Sequence, residues 1–353
     1  MESMNLAFMN EDFEIIGYFK YINLQWIRRY YEPGEFSVQL PASEYMSEAV
    51  YIFTKDRPEL GLIQKKEYAD GYDGEVIQLA GYFYEYRLND KITFPRFMAA
   101  GNIETLARSI VSTYKADIPI LQLGAANNPP LGEETTKEST GEGLATALYE
   151  MLASQELSLR CIYDYVNNTM SFVVWKGKDR TQDQSTNSFV TFSEGFRNMQ
   201  NEEVVVDSSN FKNYAIVIGN GKYEEGNQIE VDVDLRASTS DYAQLLYVDQ
   251  TGATYDSTKQ TLAEYKAQLY QAGLEELSKY TDVTSVTFDT IDRGLTYLRD
   301  YDLGDKCDVI LDSVSMSFTV RIIEVQEVFK ENKHTVTLQF GEKVPTVYSK
   351  ARR

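Results

Sequence analysis

A long strand near the C-terminus, whose buried face changes side, places the tightest limit on the fold. Phe318, Val320 and Ile322 alternate with polar residues, whereas Ile323 and Val325 continue the apolar series in the opposite phase. Such a phase change predicts a bulge between the two groups, and bulges bend a sheet toward a barrel. The C-terminal part of the chain is therefore predicted to form antiparallel strands that curl into a small barrel.

Turn signals flank this strand on both sides. Leu303-Gly304-Asp305 is predicted to be a turn that leads into a strand at residues 307–311. The polar residues 330–333 are predicted to form a hairpin turn, after which residues 335–340 alternate between polar and apolar side chains.

The N-terminal region, residues 1–95, has the same character. Phe36, Val38 and Leu40 alternate with polar residues until Pro41 ends the strand. Residues 70–74 contain two glycines, which predict a tight hairpin turn. Two strand-rich regions therefore lie at opposite ends of the chain.

The middle region, residues 96–203, mixes helices and strands. Asn102 is predicted to cap a first helix, and residues 144–152 carry the apolar stripe of a second helix. Asn167-Asn168 is predicted to join two strands as a hairpin turn.

The next region contains a Gly-x-Gly sequence that invites comparison with nucleotide-binding loops. Gly219 and Gly221 follow an apolar strand, but residues 229–235 alternate as a second strand rather than forming a helix. A dinucleotide site requires the helix, so the glycines are assigned to a hairpin. Residues 237–282 are predicted to be a helical insertion that begins with a capping box of Thr261 and Glu264.

Composition excludes several classes of protein. The chain has 353 residues and a formal net charge of -20, which is opposite to the basic balance of a stable nucleic-acid binder. No apolar run is long enough for a membrane helix, and no signal peptide is predicted. Cys161 and Cys307 are expected to be small buried residues of a chain that folds in a reducing cytoplasm.

Catalytic chemistry has few candidates. His334, the single histidine, is expected to be a surface residue of the last hairpin, and Asp179 and Arg180 are expected to order a loop by hydrogen bonds. Glu230, Asp232 and Asp234 share one face of a strand. That array suggests a solvated face or the lining of a channel, with calcium binding as a minor alternative. No catalytic, cofactor-binding or metal-binding residue is predicted, and no cofactor.

Four separated segments together resemble one family. The first has a tryptophan, two basic residues and two tyrosines before a Pro-Gly-Glu-Phe sequence, and the second has Asp-Arg-Thr followed by glutamine. The third has Lys-Asn, an apolar run and Gly-x-Gly, and the fourth ends in the strand pair described above. These segments lie at residues 24–41, 178–200, 211–221 and 301–341. The combination resembles the siphovirus-type phage tail protein family of baseplate hub and tail-associated hub proteins.

The resemblance implies an α+β, mainly β fold with two small barrel-like hub domains, an inserted α/β domain and a helical insertion. The expected division is a first hub barrel, a mixed α/β domain, a two-part second hub barrel, the helical insertion and a C-terminal tail, at residues 1–95, 96–203, 204–236 with 283–345, 237–282, and 346–353 respectively.

The implied function is structural. The family is similar to the contractile-phage tail hub, in which three subunits form a pseudo-sixfold ring between a hexameric tail tube and a threefold tip. The expected partners are two further copies, a distal tail or tail tube protein, and a tip, spike or tape-measure protein, with DNA only as passing cargo. The expected location is the tail baseplate of a virion assembled in the host cytoplasm.

Two other functions stay open from the sequence. A tail-associated cell-wall hydrolase needs converging acids in a cleft, and a glycan-binding baseplate module needs exposed aromatic faces, for which 26 tyrosines give material. Related hubs often continue into a lytic or receptor-binding domain. This sequence instead stops at Arg353, so cleavage of the cell wall is expected to reside on another polypeptide.

Overall fold

The computed structural model describes residues 3–71, 74–222, 228–280, 283–331 and 333–341. Parts of three predicted turns, at residues 72–73, 223–227 and 332, lie outside these ranges, as do residues 342–345 and the predicted tail at 346–353.

The N-terminal region contributes seven strands to one sheet. Alternating burial along β3 and β4 confirms the predicted pattern, in which Leu24, Trp26, Phe36, Val38 and Leu40 point inward. The strands lie in the order β3-β4-β7-β6-β5-β1-β2. Their bounds are β1 Leu6–Met9, β2 Ile15–Phe19, β3 Asn23–Arg29, β4 Glu35–Pro41, β5 Tyr51–Phe53, β6 Gly61–Gly71 and β7 Gly74–Phe83.

The middle region packs two helices and short strands against the N-terminal sheet. Asn102 caps α1 by accepting hydrogen bonds from the backbone N–H groups of Glu104 and Thr105, as predicted. A 3-10 helix spans Tyr84–Asp90, and β11 and β12 form the predicted hairpin. The bounds are β8 Phe97–Asn102, α1 Ile103–Tyr114, β9 Leu121–Leu123, β10 Glu134–Ser139, α2 Leu144–Ala153, β11 Ser158–Asp164 and β12 Thr169–Trp175.

Residues 214–277 form a small module with its own sheet. Its strands lie in the order β16-β15-β17, and α3 covers one face. Thr261 and Glu264 make the predicted capping box. The bounds are β15 Tyr214–Lys222, β16 Gln228–Asp234, β17 Leu245–Thr254 and α3 Leu262–Leu277; they follow β13 Thr191–Ser193 and β14 Met199–Asp207.

This module corrects the sequence assignment of residues 204–236 to the second barrel. β15 and β16 form the predicted hairpin, but β15 pairs in parallel with β17, a strand that was not predicted within 237–282. Leu245, Leu246, Tyr247 and Val248 form an unbroken apolar run without the alternation that marks a half-buried strand. The sequence pattern therefore did not predict β17, the strand with which β15 and β16 form a sheet separate from the large one.

The C-terminal region contributes β18 Val283–Thr290, β19 Lys306–Leu311, β20 Met316–Lys330 and β21 Lys333–Gly341. The predicted bulge is confirmed, because the register between β20 and β21 shifts between Ile322 and Glu324. β14 pairs with β18, and the short β13 lies parallel to β19. These strands form the second half of the large sheet.

The two halves join where β20 pairs antiparallel with β3, so that thirteen strands in the described ranges form one sheet. The mainly β fold is thus confirmed, but the predicted closure into barrels is not. Among the described strands, β2 and β14 stay at the two ends of the pairing order. The bulge bends the sheet. Neither half closes on itself, because the two halves join each other through the pairing of β3 with β20.

Candidate functional site

The joint between the two strand-rich halves holds most of the buried charge in the large sheet. β3 belongs to the N-terminal half and β20 to the C-terminal half, and they pair from Glu324 with Arg29 to Lys330 with Asn23. We call the side chains around this pairing the inter-half joint. Its geometry fixes how the two halves lie relative to each other.

Arg28 is the centre of the joint and is only 3% exposed. Its Nε donates to Glu59 Oε1 at 2.7 Å, and its Nη1 donates to the Tyr297 hydroxyl at 2.7 Å and to Asp302 Oδ1 at 2.6 Å. Burial alone lowers the pKa of Arg28, but the charges of its partners outweigh burial and raise it. Arg28 therefore remains a cation that ties the N-terminal half to residues 297–302.

A second network lies beside the first. Glu327 of β20 is fully buried. Its carboxylate accepts hydrogen bonds from Arg57 Nε, at 2.8 Å, and from Arg57 Nη2. His334 Nε2 lies 3.1 Å from Glu327 Oε2, and the histidine ring stacks on Phe329. Burial raises the pKa of Glu327, but the hydrogen bonds with His334 and Arg57 outweigh it and lower the pKa below its ordinary value.

The structure corrects the expectation that His334 is a surface residue. Its side chain is only 20% exposed, and the ring is held between a buried carboxylate and an aromatic ring. This position gives the histidine a structural role in the last hairpin, where it supports Glu327. Arg57 also lies 5.8 Å from the ring centroid of Tyr297, which connects the two networks.

A third set of ion pairs closes the edge of the joint. Arg29 Nε contacts Glu324 Oε2 of β20 at 2.7 Å, and its Nη2 contacts Glu35 Oε1 of β4 at 2.6 Å. One guanidinium thus bridges strands of both halves. Charge-assisted hydrogen bonds of this kind are shorter and stronger than those between neutral groups.

The halves also exchange core side chains. Phe329 of β20 packs into the N-terminal core with Leu24 and Trp26, whereas Tyr30, directly after β3, packs into the C-terminal core. The Tyr30 ring lies edge-on to Trp175 at 5.0 Å. The joint is therefore an interlocked core as well as a set of ion pairs.

The loop at Asp179 and Arg180 has the structural role expected from the sequence. Asp179 accepts from the Thr181 hydroxyl at 2.7 Å, and Arg180 Nε donates to Asp305 Oδ2 at 2.5 Å with both side chains buried. Asp305 ends the predicted turn, in which Gly304 has a φ of 81°. The loop therefore fastens the turn that starts β19.

Glu85 is a buried acid close to the joint. It lies in the 3-10 helix Tyr84–Asp90, and the backbone N–H of Gly34 lies 3.5 Å from Oε1. Burial raises the pKa of Glu85 to about 7, and the nearby charge of Glu59 adds to the rise. Arg28 acts in the opposite direction with a smaller effect.

The acids Glu230, Asp232 and Asp234 lie far from this chemistry in the chain's architecture. All three are exposed on β16 of the small module, as their alternation predicts. Their alternation and the chain's negative charge suggest a channel lining, which stays a prediction; β16 lies in a sheet separate from the large one. In the described ranges no cluster of three or more histidine, cysteine, aspartate or glutamate residues has the arrangement of a metal site.

Other described features have plain structural roles. Cys161 and Cys307 are buried free thiols, as expected. Among the described residues, no helix is both long and apolar enough to cross a membrane.

Sequence reasoning missed Arg28, Glu59 and Glu327 as a group. A signal was present for two of them: Arg28 has the same strand phase as Leu24 and Trp26, and Glu327 has the phase of Val325. A charge at a buried phase predicts a paired charge, because an unpaired one is expensive to bury. Glu59 lies in a loop, where no periodicity exists to reveal it.

Solved structures of phage and prophage tail proteins are similar to this chain. A tail protein from Neisseria meningitidis MC58 has a TM-score of 0.60 at 12% identity, with 97% of each chain covered. Prophage tail protein gp18 from Listeria monocytogenes EGD-e has a TM-score of 0.59 at 12% identity, covering 99% of this chain and 98% of that one. The 43 kDa tail protein of prophage MuSo2 from Shewanella oneidensis has 0.60 at 11% identity, with 96% and 98% covered.

The fold is therefore that of a phage tail protein. The model of the siphovirus ReqiPepy6 Gp37-like protein family matches residues 6–342, and the chain belongs to this family. The resemblance to siphovirus-type tail proteins seen in the sequence is thereby confirmed. No curated protein matches the sequence.

Proposed function

We propose that the chain is a structural baseplate hub subunit of a phage or prophage-derived tail. Three copies form a pseudo-sixfold ring that joins the tail tube to the tip or spike and lets DNA pass. The observation that supports this most directly is the inter-half joint, which holds two strand-rich halves edge to edge in one sheet.

The joint matters because a symmetry adaptor needs a fixed angle within each subunit. Three subunits with two similarly built halves present six strand-rich units to a sixfold tube and three repeats to a threefold tip. A loose joint would lose this correspondence. Buried ion pairs and exchanged core residues at one strand pairing supply the rigidity that such a ring requires.

The proposed limits of the units follow the sheets. The first hub unit comprises residues 1–95, and the second comprises β13, β14 and β18–β21 rather than 204–236 with 283–345. The mixed domain spans residues 96–203 except for β13 and the part of β14 in that range. Residues 214–277 form the accessory module. This division puts each proposed hub unit on one side of the β3–β20 pairing.

The proposed partners are two further copies, a distal tail or tail tube protein, and a tip, spike or tape-measure protein. The proposed location is the virion baseplate, with assembly in the host cytoplasm. The net charge of -20 favours transient passage of DNA over binding, because like charges repel the phosphate backbone.

A non-catalytic role fits the state of the titratable groups. His334 and Glu327 bond to each other within a packed joint, and Arg180 with Asp305 fastens a turn. These groups therefore serve packing.

Electron-microscope class averages of the purified protein, and of particles that carry it, test the proposal. We expect a threefold ring with six similar strand-rich units around a channel. A monomer at every concentration, which also appears singly in particles, would overturn the proposal. Clearing of a suspension of purified cell walls by the isolated protein would contradict the non-catalytic role.

A further inference from the structure

The small module has a sheet face that the rest of the chain leaves open. Ala215, Val217 and Val233 point toward α3 and form the module's core, so the alternate residues point to the opposite side. α3 also contacts the middle region, where Lys137 pairs with Glu275 at 2.7 Å. Because α3 lies between the small sheet and the middle region, the opposite face points away from the middle region.

The strand register arranges this face in rows. The central strand β15 pairs with β16 on one side and β17 on the other. We define the acidic sheet face as the outward residues of the three rows: Asp234, Tyr214 and Leu245; Asp232, Ile216 and Tyr247; and Glu230 and Asp249 beside the buried Ile218.

The side of the acidic sheet face formed by β15 and the edge strand β17 is apolar and aromatic. Leu245 is 54% exposed and Tyr247 is 65% exposed, and Tyr214 and Ile216 lie beside them on β15. Large apolar side chains next to each other on a flat sheet are unusual on a surface that stays in water. Apolar and aromatic side chains bordered by charged ones are the composition of a protein interface.

The acids lie mainly along the opposite edge of the face. Glu230, Asp232 and Asp234 lie along β16, and Asp249 lies on β17. Within the part of the chain that the structure describes, Arg236 is the cation that pairs with one of these four carboxylates, at 2.8 Å from Asp234. The face thus presents an excess of negative charge beside apolar side chains.

We propose that the acidic sheet face is a docking surface for a partner protein that presents lysine or arginine next to apolar side chains. The charge excess selects a cationic partner, and the leucine and tyrosine select apolar side chains between the cations. A neutral glycan satisfies only the aromatic part, because it leaves the carboxylates uncompensated. This role is additional to the proposed hub function and does not depend on the ring.

Fluorescence anisotropy with labelled peptides tests the proposal on the full chain. The probe is a 12-residue peptide of alternating lysine and leucine, with lysine–serine and glutamate–leucine peptides as comparisons. We expect the lysine–leucine peptide to bind best and to bind more weakly as salt rises. Hydrogen exchange with bound peptide is expected to protect residues 228–254.

Matched variants separate a specific face from general negative charge. The face variant Glu230→Gln/Asp232→Asn/Asp249→Asn and the control Glu11→Gln/Glu48→Gln/Asp183→Asn remove the same charge, and the control residues are exposed elsewhere. We expect about tenfold weaker binding for the face variant and less than about twofold for the control. Equal losses in both variants would overturn the proposal.

A second pair of variants tests the apolar side of the face. Leu245→Ser/Tyr247→Ser is compared with Phe189→Ser/Phe196→Ser, in which two exposed phenylalanines lie outside the module. We expect about tenfold weaker binding only for the first pair. Displacement of the peptide by maltoheptaose would assign the face to a glycan, and self-association lost only in the face variants would assign it to a second copy; either result overturns the proposal.

Discussion

The inter-half joint and the attachment of the small module solve the same problem, holding two parts of a chain together, in different ways. The joint uses a shared sheet, exchanged core residues and buried ion pairs. The module has a separate core of residues 215–277, and the middle region meets it through polar contacts such as Thr135 with Gln271 at 2.5 Å and Lys137 with Glu275 at 2.7 Å.

The difference between the two attachments shows which parts of the molecule are held rigidly. A shared sheet cannot open without breaking main-chain hydrogen bonds and uncovering apolar side chains, so the joint is part of the global fold. A module with its own core can detach at the cost of a few polar contacts, which water replaces. The two strand-rich halves are thus fixed to each other, and the module is an attached unit.

The largest expected effect comes from breaking the joint at Glu327. Glu327→Ala leaves Arg57 and His334 around an emptied buried site, and removal of one partner from a buried pair costs about 3–5 kcal/mol. Urea unfolding measures the change in the free energy of unfolding. Glu331→Gln, at an exposed site in the same hairpin, is the control. A loss below about 1 kcal/mol would show that the network is dispensable.

The second effect depends on pH and concerns Glu85. Burial raises its pKa from an ordinary 4.5 to about 7, so between these values the folded chain holds a proton that the unfolded chain has lost. Ionisation therefore lowers stability as pH rises through this window, with the full loss present above it.

Glu85→Gln removes this loss. We expect a gain of at most about 3 kcal/mol at pH 8 that shrinks toward zero near pH 4, measured by urea unfolding across the range. Glu48→Gln, an exposed substitution, is expected to give no such slope. A gain that is the same at every pH would assign the effect to packing instead of ionisation.

The third effect tests close backbone contact beside the joint. A Cβ on Gly177 would lie 1.8 Å from the carbonyl oxygen of Gly304, which is backbone and cannot rotate away. We expect Gly177→Ala to destabilise by about 1–3 kcal/mol in thermal or urea unfolding. Gly252→Ala is the matched control, because a Cβ there meets nothing within 4 Å. Equal effects for both would contradict the contact.

The smallest effect on global stability is expected at the module. Glu275→Gln removes the main partner of the buried Lys137, while Glu142 and Glu150 still act on its charge. We expect a loss of about 1–2 kcal/mol in module attachment, seen as faster hydrogen exchange in α3 and β10. Global unfolding is expected to change little.

Glu276→Gln is the control for this variant, since the partly exposed Glu276 pairs only with Lys279, just after the end of α3, in the described contacts. If Glu275→Gln instead lowers the free energy of global unfolding as much as Glu327→Ala does, the contrast between the joint and the module is wrong.

Much of the local structure could be predicted from the sequence, and the candidate site could be predicted only in part. The bulge after Ile322, the Asn102 cap and the capping box of Thr261 and Glu264 depend on neighbouring residues, so their patterns are readable. The joint depends on pairing between β3 and β20, which lie about 300 residues apart, and no local pattern encodes that pairing. The sequence therefore indicates that Arg28 lies on the buried face of its strand, but it does not indicate which residues pair with Arg28.

By itself, the sequence determined the mainly β character, the helices, the turns and the family, because periodicity, caps and motifs are properties of short segments. Tertiary structure alone decided that β15 and β16 leave the large sheet for β17, that both halves continue into one sheet instead of closing as barrels, and that His334 is half-buried against Glu327. The physical reason is that an edge strand has unpaired N–H and C=O groups with which several other strands could pair. Packing across the whole chain decides which strand pairs with it.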